Sequence, residues 1–251
     1  MQLRVMTYNI HRAIGVDRRF RLDRIAGIIG HYSPDLALLQ EVDYGVPRSQ
    51  ELDMAKELAE KLEYPHYALG LNTTLRQGRW GNATLSRYPI VNRSNIDLTV
   101  DVRKRRGCQH TTILAQKVEG YEHPIEVFNL HLGLSAWERQ RQVGILAQAP
   151  EFAAVSRESA CLIAGDFNDW RSMLHPVFAD VLGFDCVTHK PGAYQTSLRT
   201  YPSFSPRGGL DRIYYRGPLK SDLAHACRLA VSRVASDHLP VIADFELSYA
   251  G

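Results

Sequence analysis

Carboxylate, amide and imidazole side chains recur at the ends of short apolar segments in this chain. Asn9 ends the first such segment, and Glu41, His131 and Asp166 each follow another one directly. Asn168 lies two residues beyond Asp166. A single polar residue at a strand end is typical of turn chemistry. Their recurrence at so many strand ends indicates that these residues share a site.

The residue types favour one kind of reaction. Carboxylate and amide oxygens suit a hard cation such as Mg²⁺, for which Mn²⁺ can substitute. The sequence contains no H-E-x-x-H motif, which disfavours a zinc site, and no G-x-S-x-G motif, which disfavours a serine hydrolase. Carboxylates, a hard metal and histidines together predict hydrolysis of a phosphate ester, in which a held water attacks in line.

Short apolar segments rich in β-formers alternate with helical patterns. Helices are predicted from the apolar stripe Leu22–Ile29, from Asp53 to Leu62, from a capping box of Ser135 and Glu138 through Ala147, and from Met173 to Leu182. The predicted strands are Leu3–Asn9, Leu36–Gln40, Tyr67–Leu71, Asn82–Ser86, Ile90–Leu98, Thr111–Val118, Ile125–Leu130, Leu162–Ala164, Leu210–Tyr215, Arg228–Val234 and Pro240–Leu247.

Several consecutive strands have no helix between them, so mixed or antiparallel sheets are expected, packed as two layers and covered by helices. Asp211 and the pair Asp237-His238 precede late strands instead of following them. If those strands run antiparallel to the earlier ones, all of these polar residues reach one edge of the fold.

Length and composition fit a globular protein, and we expect a single domain over residues 1–251. The four cysteines form no C-x-x-C pair, and no signal peptide or membrane-length apolar stretch is evident, which predicts a cytoplasmic protein. The basic run Arg103–Arg106 is interpreted as a solvated loop in preference to a contact for an anionic substrate. Nothing indicates an obligate protein partner.

Seven short motifs occur in an order that resembles the endonuclease/exonuclease/phosphatase superfamily, especially its short bacterial members. The motifs span nearly the whole chain: Thr7-Tyr8-Asn9-Ile10-His11, Leu39-Gln40-Glu41-Val42-Asp43, Gly81-Asn82-Ala83, Asn129-Leu130-His131-Leu132-Gly133, Gly165-Asp166-Phe167-Asn168, Leu210-Asp211-Arg212-Ile213 and Ser236-Asp237-His238-Leu239-Pro240-Val241.

The resemblance implies an α/β fold of the deoxyribonuclease I type, a four-layer α/β sandwich in which two packed mixed β-sheets are flanked by helices. It also implies roles for the residues. The metal ligands would be Glu41, Asn9 and Asp237; the catalytic residues would be His131, Asp166, Asn168, Asp211 and His238; and Asn82 and His11 would contact the substrate phosphate. Asp211 would hold His238 in its productive tautomer.

Departures from branch patterns narrow the substrate. His131 stands where the abasic-site endonucleases have a tyrosine-containing motif, and Leu210 stands where inositol phosphatases have a cysteine. No acidic residue lies between Pro65 and Ile96, the segment from which secreted deoxyribonucleases supply a carboxylate to the equivalent of His131. Three hypotheses remain: a phosphodiesterase acting on a lipid head group or small diester, a nuclease acting on DNA or RNA, and a non-catalytic binding protein that retains the fold.

Overall fold

Two mixed sheets of six strands each form the centre of the computed structural model, which describes residues 1–118, 121–189 and 197–248. The strands of the first sheet are β1 (Gln2–Asn9), β2 (Leu36–Tyr44), β3 (His66–Thr74), β4 (Arg79–Ser86), β11 (Leu219–Ala226) and β12 (Val241–Leu247), in the order β11-β12-β1-β2-β4-β3. Those of the second are β5 (Ile90–Asp97), β6 (Gly107–Val118), β7 (Tyr121–His131), β8 (Ala160–Asp166), β9 (Asp185–Cys186) and β10 (Asp211–Arg216), in the order β5-β6-β7-β8-β10-β9. Each sheet contains one parallel pair, β1 with β2 and β7 with β8.

Helices cover the outer faces of both sheets. The helices are α1 (Leu22–Tyr32), α2 (Met54–Lys61), α3 (Ala136–Gln148), α4 (Pro150–Ala153) and α5 (Ser232–Ala235). One buried apolar cluster lies beneath α1 and α2, a second lies between the sheets, and a third lies beneath α3. Three apolar layers separate four layers of secondary structure, which confirms the predicted four-layer α/β sandwich.

Local sequence signals account for where the longer helices begin. Asp53 caps α2 by accepting a hydrogen bond from the backbone N–H of Lys56, and Ser135 caps α3 by accepting one from Glu138. Each cap satisfies a backbone donor that the first turn of a helix leaves unpaired. The predicted helices at Leu22–Ile29, Asp53–Leu62 and Ser135–Ala147 are thus confirmed as α1, α2 and α3.

Two predicted elements are wrong. The predicted strand Arg228–Val234 is replaced by a turn leading into the short helix α5, and the strand that completes the sheet is β11, which precedes it. β11 was missed because its polar residues do not alternate regularly and a bulge lies between Lys220 and Leu223. The predicted helix Met173–Leu182 is wrong in its extent, because the element found there is the single π turn Val177–Val181. Pro176 precedes this turn with helical φ and ψ, and proline is tolerated at the start of a helix but not in its interior.

Strand direction brings the polar residues to one edge. β10 runs antiparallel to β8 with Asp211 paired to Asp166, and β7 runs parallel to β8 with His131 paired to Asp166. Gly165 has φ +145, and a Cβ there would collide with the Leu130 carbonyl, so glycine permits this close pairing. β12 runs antiparallel to β1, so the segment before β12 that carries His238 reaches the same edge.

A network of buried amides joins the two sheets near this edge. Gln40 Nε2 donates to Asn129 Oδ1 at 2.8 Å, and Asn129 Nδ2 donates to the carbonyls of Leu39 and Ala83. Asn82 Nδ2 donates in turn to the Asn129 carbonyl at 2.9 Å. Because buried amides are costly when unpaired, this network fixes how the sheets are placed relative to each other.

Within the three described ranges, no helix is both long and apolar enough to cross a bilayer.

Candidate active site

Three polar groups converge on one oxygen of Asp166. Asn9 Nδ2 donates to Asp166 Oδ2 at 3.0 Å, and the Nε2 atoms of His131 and His238 lie 3.5 and 3.6 Å from the same oxygen. The other carboxylate oxygen, Oδ1, accepts a hydrogen bond from the backbone N–H of Asn168 at 2.9 Å. Asp166 is therefore the centre of the polar cluster, and it receives groups from both sheets.

Burial and charge set the protonation of Asp166. Its side chain is almost completely buried, and burial raises the pKa of the carboxyl to about 6, although the neighbouring His238 opposes the rise.

Asn168 joins two loops near Asp166. Its side chain donates to the Leu132 carbonyl at 2.9 Å, and its backbone has φ 50, a left-handed conformation that asparagine tolerates. The loops after β7 and β8 are thereby tied together around Asp166.

His238 is held by a carboxylate on its far side. Its Nδ1 lies 2.9 Å from Asp211 Oδ2, which also accepts a hydrogen bond from the Thr200 hydroxyl. Burial disfavours a charged imidazole, but the carboxylates of Asp211 and Asp166 outweigh burial and raise the pKa of His238 to about 10. His238 therefore carries a positive charge at neutral pH, with Nε2 turned toward Asp166.

His131 has the opposite environment. In the part of the chain that the structure describes, its buried Nδ1 has no hydrogen-bond partner. Burial lowers the pKa of His131 well below its usual value, and the charges of Arg106 and His238 lower it further. His131 is therefore neutral at neutral pH. The lack of a carboxylate at Nδ1 among the described residues agrees with the absence of acidic residues in the segment from Pro65 to Ile96.

Arg106 is a site residue that the sequence interpretation missed. Only 5% of its surface is exposed, and it lines a small cavity together with His131, Trp80 and Asn82. Its Nε has no hydrogen-bond partner, and its guanidinium forms no ion pair, among the described residues. Burial lowers the pKa of this guanidinium, and Asp166 opposes the shift, but arginine remains charged.

The interpretation of Arg103–Arg106 as a solvated loop is thus correct for only part of the run. Arg103 and Arg105 are exposed, and so is Lys104, although its ammonium lies 4.6 Å from the centre of the Trp80 ring. The signal that points to Arg106 is position, because it directly precedes β6 at the edge where the other site residues lie.

Glu41 is placed by an irregularity in β2. The pairing of β2 with β4 shifts register between Leu39 and Val42, and Glu41 itself has φ 56. A bulge of this kind re-aims a side chain at the rim of a sheet. The Glu41 carboxylate is 15% exposed and lies 3.3 Å from the Arg12 guanidinium.

The remaining predicted metal and phosphate residues lie around a left-handed turn after β1. His11, Arg12 and Ala13 all have positive φ, and the His11 backbone N–H donates to Asn9 Oδ1 at 3.1 Å. His11 Nδ1 lies 2.8 Å from the Ile14 carbonyl and 3.9 Å from Asp237 Oδ1. Through His11, this turn therefore contacts both Asn9 and Asp237, and through Arg12 it contacts Glu41.

Two other polar residues are engaged in the framework. Both hydrogens of Asn82 Nδ2 are used in bonds to the carbonyls of Asn129 and Gly107. A phosphate contact by this amide, as the resemblance implies, requires one of those bonds to break. Arg48 forms two 2.8 Å bonds to the buried carboxylate of Asp43 and is held there.

The first turns of α3 support the loop after β7, and sequence inspection did not find this role. Gln142 Oε1 accepts from the Gly133 N–H at 2.7 Å, and Arg139 Nη1 donates to the Leu134 carbonyl at 2.7 Å. Arg139 also lies 3.7 Å from Asp169, which belongs to the loop after β8. These buried polar residues keep the loops of His131 and Asn168 at a fixed separation.

Two groups of residues offer ligand atoms for a metal. Asp166, Asp211 and His238 have ligand atoms within 4.8 Å of one another, but the His238 nitrogen and Asp211 are already bonded to each other. Glu41, Asn9 and Asp237 supply carboxylate and amide oxygens, the ligand type that Mg²⁺ prefers. The donor types of this second set fit a hard divalent cation, although Asn9 Oδ1 accepts the His11 backbone N–H and Glu41 lies against the Arg12 guanidinium.

The fold and the cluster around Asp166 place the molecule among the deoxyribonuclease I-like α/β sandwiches. The model of the Endonuclease/Exonuclease/phosphatase family matches residues 6–238, and the chain belongs to that family, whose members hydrolyse phosphoester bonds and generally use divalent metals. The protein YbhP of Escherichia coli K12 is 32% identical over 97% of this chain and 96% of its own length.

Solved structures show the same fold. A family member from Beutenbergia cavernae has a TM-score of 0.80 with 24% identity, covering 99% of this chain and 72% of that one. The catalytic domain of human Nocturnin, solved with bound sulfate, has a TM-score of 0.74 with 24% identity, covering 98% of this chain and 95% of that domain.

Proposed function

We propose that this protein hydrolyses phosphodiesters by in-line attack of water, with a lipid head group or another small diester as substrate. The observation that supports this proposal most directly is the convergence of Asn9, His131 and His238 on Asp166 Oδ2. A carboxylate that faces two imidazoles at the edge of the sheets can take a proton from water while the imidazoles face the phosphoryl oxygens.

The two histidines and Asp166 have different charges at neutral pH, and their proposed roles follow from those charges. With a pKa of about 6, Asp166 is ionised at neutral pH and remains basic enough to accept a proton from the attacking water. Protonated His238 stabilises the negative charge that develops on the phosphoryl oxygens or donates its proton to the leaving oxygen. His131 acts as a neutral hydrogen-bonding group, and Asn168 orients the water or the phosphate.

Arg106 supplies a further cation for the substrate. A buried charge without a partner is unfavourable unless an anion joins it. The Arg106 guanidinium shares a cavity with His131, so a phosphate bound against His131 would pair with it. We therefore add Arg106 to the residues that bind the substrate phosphate.

A divalent cation, Mg²⁺ with Mn²⁺ as a substitute, would be held by Glu41, Asn9 and Asp237. When bound, it would neutralise charge on the phosphoryl oxygens. The turn that links Asn9 to Asp237 supports this assignment because it holds two of the oxygen donors at one edge. The Arg12 guanidinium beside Glu41 would have to move away from that carboxylate when the cation binds.

The first experiment compares a chromogenic phosphodiester with its monoester counterpart, each with Mg²⁺ and with excess chelator. The variants are His238→Ala and, as a matched control, His31→Ala, whose imidazole is exposed on α1. We expect diester cleavage that needs both the metal and His238 and that His31→Ala leaves intact. Cleavage that survives thorough chelation contradicts the metal assignment, and full activity of His238→Ala contradicts the assigned roles.

DNA and RNA oligonucleotides provide the third arm of the same experiment. If they are cleaved far faster than small diesters, the protein is a nuclease and the proposed substrate class is wrong. If no ester is cleaved by the protein at any metal concentration, the binding-protein alternative replaces the proposal.

A further inference from the structure

Two groups of exposed apolar side chains flank the two histidines. The first, called here the Val102 patch, consists of Val102, Leu134 and Trp137, which are 102%, 76% and 46% exposed. The second, the Trp170 patch, consists of Trp170, Met173 and Phe204, which are 54%, 47% and 62% exposed. Single exposed apolar residues are ordinary, but clusters beside a site mark a contact surface.

The Val102 patch lies on the His131 side of the site. Leu134 is three residues beyond His131 in the loop that Arg139 and Gln142 hold. Arg103, next to Val102, places its guanidinium 6.0 Å from the Trp137 ring. The loop between β5 and β6 and the start of α3 therefore meet, and they present their apolar tips together.

The Trp170 patch lies on the His238 side. Trp170 packs edge-on against Tyr201 with ring centres 5.6 Å apart, and the Tyr201 ring lies 4.9 Å from the ring of His238. Trp170 follows Asn168 by two residues, and Phe204 follows Tyr201 by three. One patch therefore adjoins His131 and the other adjoins His238, the two histidines that face Asp166.

Both patches are interspersed with cations. Arg103, Lys104 and Arg105 are exposed beside the Val102 patch, and the nearby carboxylates are those of Asp101 and of Asp97, which lies 3.9 Å from Arg105. Arg171 and Arg207 are exposed beside the Trp170 patch. Bulky apolar tips among arginines and lysines match a lipid surface whose head groups carry negative charge.

We propose that the two patches seat this protein on an anionic lipid surface, with the catalytic edge facing the head groups. The inference deepens the proposed function and depends on it only for the claim that a bound head group is cleaved. A single-stranded nucleic acid is the less favourable occupant, because its bases stack on aromatic rings and gain little from Val102, Leu134 or Met173. The exposed aliphatic side chains decide between the two.

The test is flotation of the protein with vesicles of phosphatidylcholine alone and with vesicles of equal parts phosphatidylcholine and phosphatidylglycerol. The variants are Leu134→Asp and Phe204→Asp, one in each patch. Val91→Asp is the matched control, because Val91 is 55% exposed at the start of β5, the opposite end of the sheet. Thermal unfolding of each variant shows that it remains folded.

We expect the protein to float with the anionic vesicles, and we expect each patch variant to weaken that binding by about tenfold while Val91→Asp does not. A shift of tryptophan emission to shorter wavelength on binding would place Trp137 and Trp170 in the interface.

If the protein binds neither kind of vesicle, the proposal is overturned. An equal loss of vesicle binding in Leu134→Asp, Phe204→Asp and Val91→Asp also overturns it. Tight, salt-sensitive binding of a single-stranded oligonucleotide in place of vesicles assigns the surface to nucleic acid instead. The soluble chromogenic diester separates the two claims. Patch-dependent vesicle binding without cleavage of any ester leaves the surface standing and removes the proposed function.

Discussion

The two halves of the active site contain the same residue type in opposite electrostatic settings. On one side, His238 is bonded to the buried carboxylate of Asp211, which raises its pKa to about 10 despite burial. On the other side, burial and then the charge of Arg106 lower the pKa of His131 well below its usual value, and its Nδ1 has no partner among the described residues. Both imidazoles nevertheless point Nε2 at the same oxygen of Asp166.

The difference shows that the positive charge of the site is divided between unlike groups. On the His238 side the cation is an imidazolium held by a carboxylate, and such a group can both stabilise an oxyanion and release a proton. On the His131 side the cation is a guanidinium, which never releases its proton, and the imidazole beside it stays neutral. The first side is therefore suited to proton transfer and the second to binding of phosphate.

Removal of the group that both sides share should have the largest effect. Asp166→Asn keeps the shape of the side chain but removes its charge and its basicity. We expect kcat for the chromogenic diester to fall by about a thousandfold, because a general base typically contributes a factor of that order.

The matched control is Asp185→Asn, which makes the same change at an exposed position of β9. Its kcat should equal that of the unmodified protein. If Asp166→Asn kept more than a tenth of the activity, Asp166 would be a structural partner of the histidines and the base would have to be sought elsewhere.

Asp211→Asn changes only the His238 side of the candidate site. The asparagine oxygen can still accept hydrogen bonds from Thr200 and from His238 Nδ1, but the charge that favours the imidazolium is lost. We expect kcat to fall by about a hundredfold with little change in KM, because Asp211 orients the imidazole of His238 and does not touch the substrate.

Steady-state kinetics of Asp211→Asn and of the double variant Asp211→Asn/His238→Ala check this prediction. The two changes should be far from additive, since both act through one imidazole. Additive losses would mean that Asp211 has a role of its own. Its Oδ1, which has no hydrogen-bond partner in the part of the chain that the structure describes, would then be the atom to examine.

The sequence predicted the framework, and it predicted which residues gather in the candidate site, for identifiable physical reasons. Apolar strands, helix caps and ordered motifs are local signals, and they were sufficient to place Asp166, His131 and His238 at one edge. Arg106 was missed because its burial arises from β4 and β7, which are distant in sequence. Glu41 was found by its motif, yet the bulge that turns it could not be read from composition.

The His131 side is tested by a pair of arginines that differ in whether they have a partner. Arg106 is buried and has no partner among the described residues, whereas Arg48 forms two bonds to the buried Asp43 carboxylate. Arg106→Met should lower kcat/KM by about tenfold, since a hydrogen bond to a charged group contributes about 1.5 kcal/mol or more. It should leave the melting temperature unchanged or raise it, because an unpaired buried charge is removed.

Arg48→Met should lower the stability and leave the activity unchanged, because it leaves the Asp43 carboxylate buried and without its arginine partner. We expect a loss of about 2 kcal/mol in the free energy of unfolding with activity retained. The check is to measure the melting temperature and kcat/KM of both variants. If Arg106→Met destabilised the protein as much as Arg48→Met does, Arg106 would already have a structural partner. The charge on the His131 side would then serve the fold, and the phosphate would have to be bound by His238 and the metal ligands alone.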